Sequence, residues 1–94
     1  MFLRREVIKQ LPKKGFEKKT KSHHIYFHHK LRGKYTGKFT KVSHSARVKE
    51  ISGDLVTQMR KQLQLDSNRQ VHDLIECPMT GQDYTELLRQ KGIF

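Results

Sequence analysis

Apolar residues first recur at helical spacing. Leu3, Val7, Ile8 and Leu11 share one side of a helix and predict a short opening helix. Pro12 removes a backbone donor and should bend or end that helix before Gly15, an otherwise good terminator. The period then shortens to two. Residues 16–20 read as a short strand anchored by Phe16, and Lys21 with Ser22 as the turn out of it. Next come His23, His24, Ile25, Tyr26, Phe27, His28 and His29, an alternating run that predicts a second strand. One face carries His23, Ile25, Phe27 and His29, and the other carries His24, Tyr26 and His28. Ile25 and Phe27 are the natural core pair, so the second face is expected to be open and polar.

The basic stretch Lys30-Leu31-Arg32-Gly33-Lys34 reads as a longer hairpin loop, and residues 35–42 as a third strand. Residues 43–51 have no clear period. Ser52 is a predicted N-cap with Asp54 near the positive end of the helix dipole, and Leu55, Val56, Met59 and Leu63 form the buried stripe. Phe16, Ile25, Phe27, Leu55 and Met59 are expected in the core. Two short helices should follow. Val71, Leu74 and Ile75 line the first, which stops at Cys77 and Pro78. Thr80 opens the last with Asp83 in capping-box position, Met79 and Tyr84 as a hydrophobic staple, Leu87 and Leu88 inward and Gly92 at the end. The predicted class is α+β: an α-β-β-β-α domain over residues 1–65 with a three-stranded antiparallel sheet. Residues 66–94 form a helical extension packed on the same domain, enlarging a small core.

Charge divides the chain differently from hydropathy. Of 94 residues with a formal net charge of +11, residues 1–49 hold 15 Lys and Arg against Glu6 and Glu17, a net of +13. Residues 50–94 hold 5 against 7, a net of −2. A basic surface confined to the histidine-rich half points to a polyanionic partner. The single cysteine, Cys77, excludes an internal disulfide and makes a reducing compartment the default. No apolar run approaches the ~20 residues of a membrane span, and the N-terminus lacks the apolar segment of a secretion signal. A soluble cytoplasmic protein is expected.

In this arrangement the chain resembles the HicA family, also called YcfA-like proteins, over about residues 3–65. The likeness is carried by Leu11-Pro12-Lys13-Lys14-Gly15-Phe16, Lys21-Ser22-His23-His24-Ile25-Tyr26, Lys41-Val42-Ser43-His44 and Ile51-Ser52-Gly53-Asp54-Leu55. The resemblance implies a fold like the double-stranded-RNA-binding domain and a toxin ribonuclease that cleaves messenger RNA. It implies His24 as catalytic histidine and a HicB-like antitoxin as protein partner. Lys21 stands where the family motif has glycine, which would change the turn or add a phosphate contact.

Metal-free RNA cleavage needs a base for the 2′-hydroxyl, cations for the phosphoryl oxygens and an acid for the leaving 5′-oxygen. Histidine suits proton transfer near neutrality. His24 is the candidate base, and His28 or His44 the candidate acid. Lys18, Lys19, Lys21, Ser22, Tyr26, Lys34, Lys38 and Lys41 are the candidate RNA contacts. Ser22 is expected to shape the turn rather than to attack. Tyr26 either stacks on a base or covers the sheet. His28, His29 and His72 each read more readily as ordinary polar surface residues. No metal or cofactor is expected, because same-face histidines four apart on a strand lie ~13 Å apart. Two other functions fit the composition: a non-catalytic RNA-binding module of the double-stranded-RNA-binding type, and a basic module docking an acidic protein. A second copy of the chain is a further candidate partner.

Overall fold

The computed structural model describes residues 2–43, 49–76 and 78–93. Its elements run β1 (Phe2–Leu3), α1 (Arg4–Gln10), a 3-10 turn (Leu11–Lys14), β2 (Phe16–Lys21), β3 (His24–Leu31) and β4 (Lys34–Ser43). They continue with β5 (Glu50–Ile51), α2 (Gly53–Gln62), α3 (Asn68–Glu76) and α4 (Gly81–Gln90). The protein is α+β, with a three-stranded antiparallel sheet in the order β2-β3-β4 and four helices. Pro12 ends α1 as its missing donor requires, and the chain tightens into the 3-10 turn until Gly15 stops it at φ 91°.

Alternation along β3 is kept throughout. Ile25, Phe27 and His29 are buried, whereas His24, Tyr26 and His28 are half-buried on the opposite face. The covered side of the sheet meets Val7 and Leu11, then Val56 and Met59 from α2 and Leu63 at its C-cap. Val71, Leu74 and Ile75 from α3 and Tyr84 and Leu88 from α4 join the same cluster of buried residues. Tyr84 has no exposure, and its hydroxyl donates to the Leu63 carbonyl at 2.9 Å, so its polar end is satisfied inside the core. Both predicted helix starts have the expected caps: Ser52 accepts from the Leu55 amide, and Thr80 and Asp83 close a capping box. At Gly81 the backbone of α4 meets that of the 3-10 turn. A Cβ there would sit 2.7 Å from the Lys14 carbonyl oxygen, so only glycine allows this approach.

Several sequence expectations are corrected. The loop after β3 is not five residues but a two-residue turn at Arg32 and Gly33, with φ of 54° and 80°. Two successive positive φ values match the right-handed twist of the flanking strands, and Gly33 supplies one without strain. Lys30, Leu31 and Lys34 therefore belong to the ladder. The region 43–51 is not wholly irregular, because Glu50 and Ile51 pair with Leu3 and Phe2 in a small second sheet. Leu55, assigned to the core, is 40% exposed: it sits on the first turn of α2, outside the stripe of Val56, Met59 and Leu63. Ser22 and His23 form the β2–β3 turn, with Lys21 still in the strand. Leu87 is only partly buried.

His29 is the largest correction. It is no surface histidine but 1% exposed. Between the pairs His28–Phe39 and Lys30–Tyr35, β4 spends more residues than β3, and this bulge, with Gly37 at φ 87°, brings Thr36 back over the ring. His29 Nδ1 lies 2.9 Å from Thr36 Oγ1, Nε2 lies 3.5 Å from Thr85 Oγ1, and Phe16 and Tyr84 flank the ring. Burial holds its pKa below the ordinary 6.5. The unfolded chain therefore binds more protons as pH falls through that value, so stability present above it is lost on acidification. Thermal melting followed from about pH 8 to about pH 5 should show this loss, and His29→Gln should show less of it. An equal fall in both proteins would remove His29 as its source.

Candidate nucleic-acid interface

The face of the sheet opposite the helices carries the predicted chemistry, and strand register orders it into rows. Lys21 pairs with His24 and His24 with Ser43. Lys19 pairs with Tyr26 and Tyr26 with Lys41. Glu17 pairs with His28 and His28 with Phe39. Tyr35, opposite Lys30, extends the face beyond the bulge. Side chains alternate across a strand, so each row points the same way.

Rings form a continuous stripe down the middle. His24 meets Tyr26 at 6.2 Å between centroids, Tyr26 lies 6.0 Å from His28 and 6.2 Å from Phe39, and His28 lies 5.7 Å from Phe39 and 5.8 Å from Tyr35. Phe39 is 37% and Tyr35 50% exposed, high values for rings that the fold does not cover. Lysines flank the stripe. Lys21 and Lys41 stand over Tyr26 at 5.8 and 5.9 Å, and Lys19 and Lys30 over Tyr35 at 5.1 and 5.2 Å. Such cation–π contacts hold the ammonium groups above the sheet.

The two ends of the stripe differ electrically. At the Tyr35 end Glu17 accepts a hydrogen bond from the Tyr35 hydroxyl and lies 3.7 Å from Lys30. That hydrogen bond, with Lys30 and Lys19 nearby, keeps the carboxyl below its usual range. At the His24 end no acidic residue occupies the rows, and among the described residues neither Lys21 nor Lys41 makes an ion pair. The cations beside His24 thus stand without a carboxylate in their rows, whereas those around Tyr35 share Glu17. A cleft of about 120 Å³ opens beside it, lined by His24, Lys41, Ser43, Leu55 and Gln58 among others. Leu55, displaced from the core, faces this cleft.

The structure brings together only part of the predicted set. Lys19, Lys21, Tyr26, Lys41 and His24 share the open face. Lys21 is paired within β2, and the positive φ of the turn falls on Ser22 at 45°, so the chain needs no glycine at position 21. Lys18 pairs with Phe27 and so points towards the helix side of the sheet edge. Lys34 lies at the hairpin tip opposite Leu31, and Lys38 lies in the bulge. His28 is on the same face as His24 but one row beyond Tyr26, ~13 Å along the strand. An acid and a base acting on one phosphodiester must each come within ~3 Å of an oxygen on the same phosphorus, a span that His24 and His28 do not share. His44, the other candidate acid, lies outside the described residues. His72 is on α3, bonded to Glu76 at 2.9 Å and far in sequence from the basic half.

Phe39 and Tyr35 were missed in the sequence. The signal for Phe39 was present, since Phe39, Lys41 and Ser43 alternate with buried Thr40 and Val42. Tyr35 could not be placed by alternation, because the bulge intervenes. Among the described residues no group of three or more His, Cys, Asp or Glu side chains is placed to hold a metal ion, and no helix is long and apolar enough to cross a membrane. Compared with protein-family models, curated proteins and solved structures, the chain matches none.

Proposed function

We propose that the chain is an RNA-binding ribonuclease of the HicA type, with a fold like the double-stranded-RNA-binding domain, working on the open sheet face. The observation that carries this reading is the pair of rows Lys21–His24–Ser43 and Lys19–Tyr26–Lys41, in which His24 lies beside Lys21 and Lys41 and neither row holds a carboxylate. His24 takes the proton from a ribose 2′-hydroxyl, and the freed oxygen attacks the adjacent phosphorus. The bond from phosphorus to the 5′-oxygen breaks, and a 2′,3′-cyclic phosphate is left. Lys21 and Lys41 offset the charge that grows on the phosphoryl oxygens. The leaving 5′-oxygen takes its proton from water, since His28 is out of reach. On this reading the protein is a cytoplasmic toxin, and a HicB-like antitoxin of acidic surface would neutralise it by covering the same lysines.

Purified protein incubated with messenger RNA and a metal chelator should yield fragments ending in 2′,3′-cyclic phosphate. Intact RNA, together with binding whose affinity falls steeply with salt, would instead establish the second reading, a non-catalytic RNA-binding module. The distance between His24 and His28 favours that second reading, because no acid partners the base among the described rows.

A further inference from the structure

The lysines account for attraction to phosphate, but not for the rings between them. We propose that Tyr26, His28, Phe39 and Tyr35 form a stacking platform for the separated bases of a single strand, running from the His24 end of the sheet to the hairpin end. The inference deepens the RNA-binding reading and rests on it.

Three features carry it. Exposed aromatic surface costs the free protein hydration without adding to its core, and here it is contiguous: neighbouring rings lie 5.7 to 6.2 Å apart. That spacing is nearly twice the ~3.4 Å rise per nucleotide of a stacked strand, so bases must be pulled apart for each to lie on its own ring. A duplex cannot do this without melting, and it offers a protein its phosphates and groove edges rather than base faces. Finally, Lys19 and Lys21 from β2 and Lys41 from β4 reach over the rings from both sides in the free protein, and a stacking base displaces their ammonium groups towards its own phosphates. A backbone lying along either flank keeps its bases over the rings, the arrangement that sequence-tolerant single-strand binders use.

The test uses a 2′-O-methylated single strand of about eight nucleotides, which lacks the attacking hydroxyl, and the same strand with its central bases removed. The chain has no tryptophan and three tyrosines, two of them on the platform, so stacking is read directly as quenching of tyrosine emission. The intact strand should bind and quench, and the abasic strand should bind at least tenfold more weakly at equal salt. Phe39→Leu and Tyr26→Leu keep apolar bulk but lose the π face, and each should weaken the intact strand about 5- to 150-fold with an unchanged salt slope. Lys41→Gln should instead lower the slope by about 0.7. Equal affinity for intact and abasic strands, or equal competition by a duplex, overturns the platform while leaving RNA binding in place. Failure to bind any RNA at low salt removes both readings.

Discussion

His24→Ala should slow RNA cleavage by about 10²- to 10⁴-fold while leaving the melting curve close to that of the parent. The expected split follows from where the residue sits. Its ring is half-buried at the start of β3, meets Tyr26 at 6.2 Å, and makes no hydrogen bond among the described residues. Truncation therefore leaves no orphaned buried partner and opens no core cavity. RNA affinity should also be nearly retained, because Lys19, Lys21 and Lys41 and the ring stripe remain. His28→Ala provides the contrast. It removes a ring between Tyr26 and Phe39 and should weaken binding, but with saturating RNA its cleavage rate should stay near the parent's. Single-turnover cleavage at saturating protein, alongside titrations of affinity, separates the two effects. If His24→Ala cleaves as fast as the parent, His24 is not the base.

Phe27→Ala should cost about 3–5 kcal/mol, a large part of the ~5–15 kcal/mol that holds a domain of this kind together. Phe27 has no exposure and lies at the middle of the central strand, opposite Lys18 on one side and Thr40 on the other. Thr40 is itself buried and donates to Gln62 at 2.7 Å, tying β4 to the end of α2. A cavity at Phe27 thus opens beneath the central strand of the sheet. Urea unfolding should show the midpoint falling steeply with little change in slope. Phe39→Ala, on the same sheet but the opposite face, should cost far less, because its ring is 37% exposed. A loss below ~1 kcal/mol for Phe27→Ala would mean that the sheet is not the centre of the core.

The two experiments probe opposite faces of one strand, and local pattern made both faces legible. Period two across residues 24–28 separates Ile25 and Phe27 from His24, Tyr26 and His28 whatever packs around them, because strand geometry enforces it. The helix caps at Ser52 and Thr80 were equally readable, as their hydrogen bonds close within three residues. The charge split alone puts the basic residues in the first half of the chain. Reading failed where a local rule met a distant partner. His29 obeyed its predicted face, yet its burial depends on Thr36 across the bulge and on Thr85, 56 positions away. Leu55 looks apolar enough for a core, but it sits on the first turn of α2, at the cleft beside His24 and not under the sheet.

Sequence determined which residues share a strand face, where the helices begin and which half is basic, since each depends on neighbours within a few positions. The tertiary structure alone decided the rest. Strand pairing set the rows that put Lys21 and Lys41 beside His24 and left His28 one row too far away. It also joined Phe39 and Tyr35 to a stripe whose other rings lie on a different strand. The physical reason is register: alternation fixes the face of a side chain, whereas its neighbour across the sheet depends on turn length and bulges that no single strand encodes.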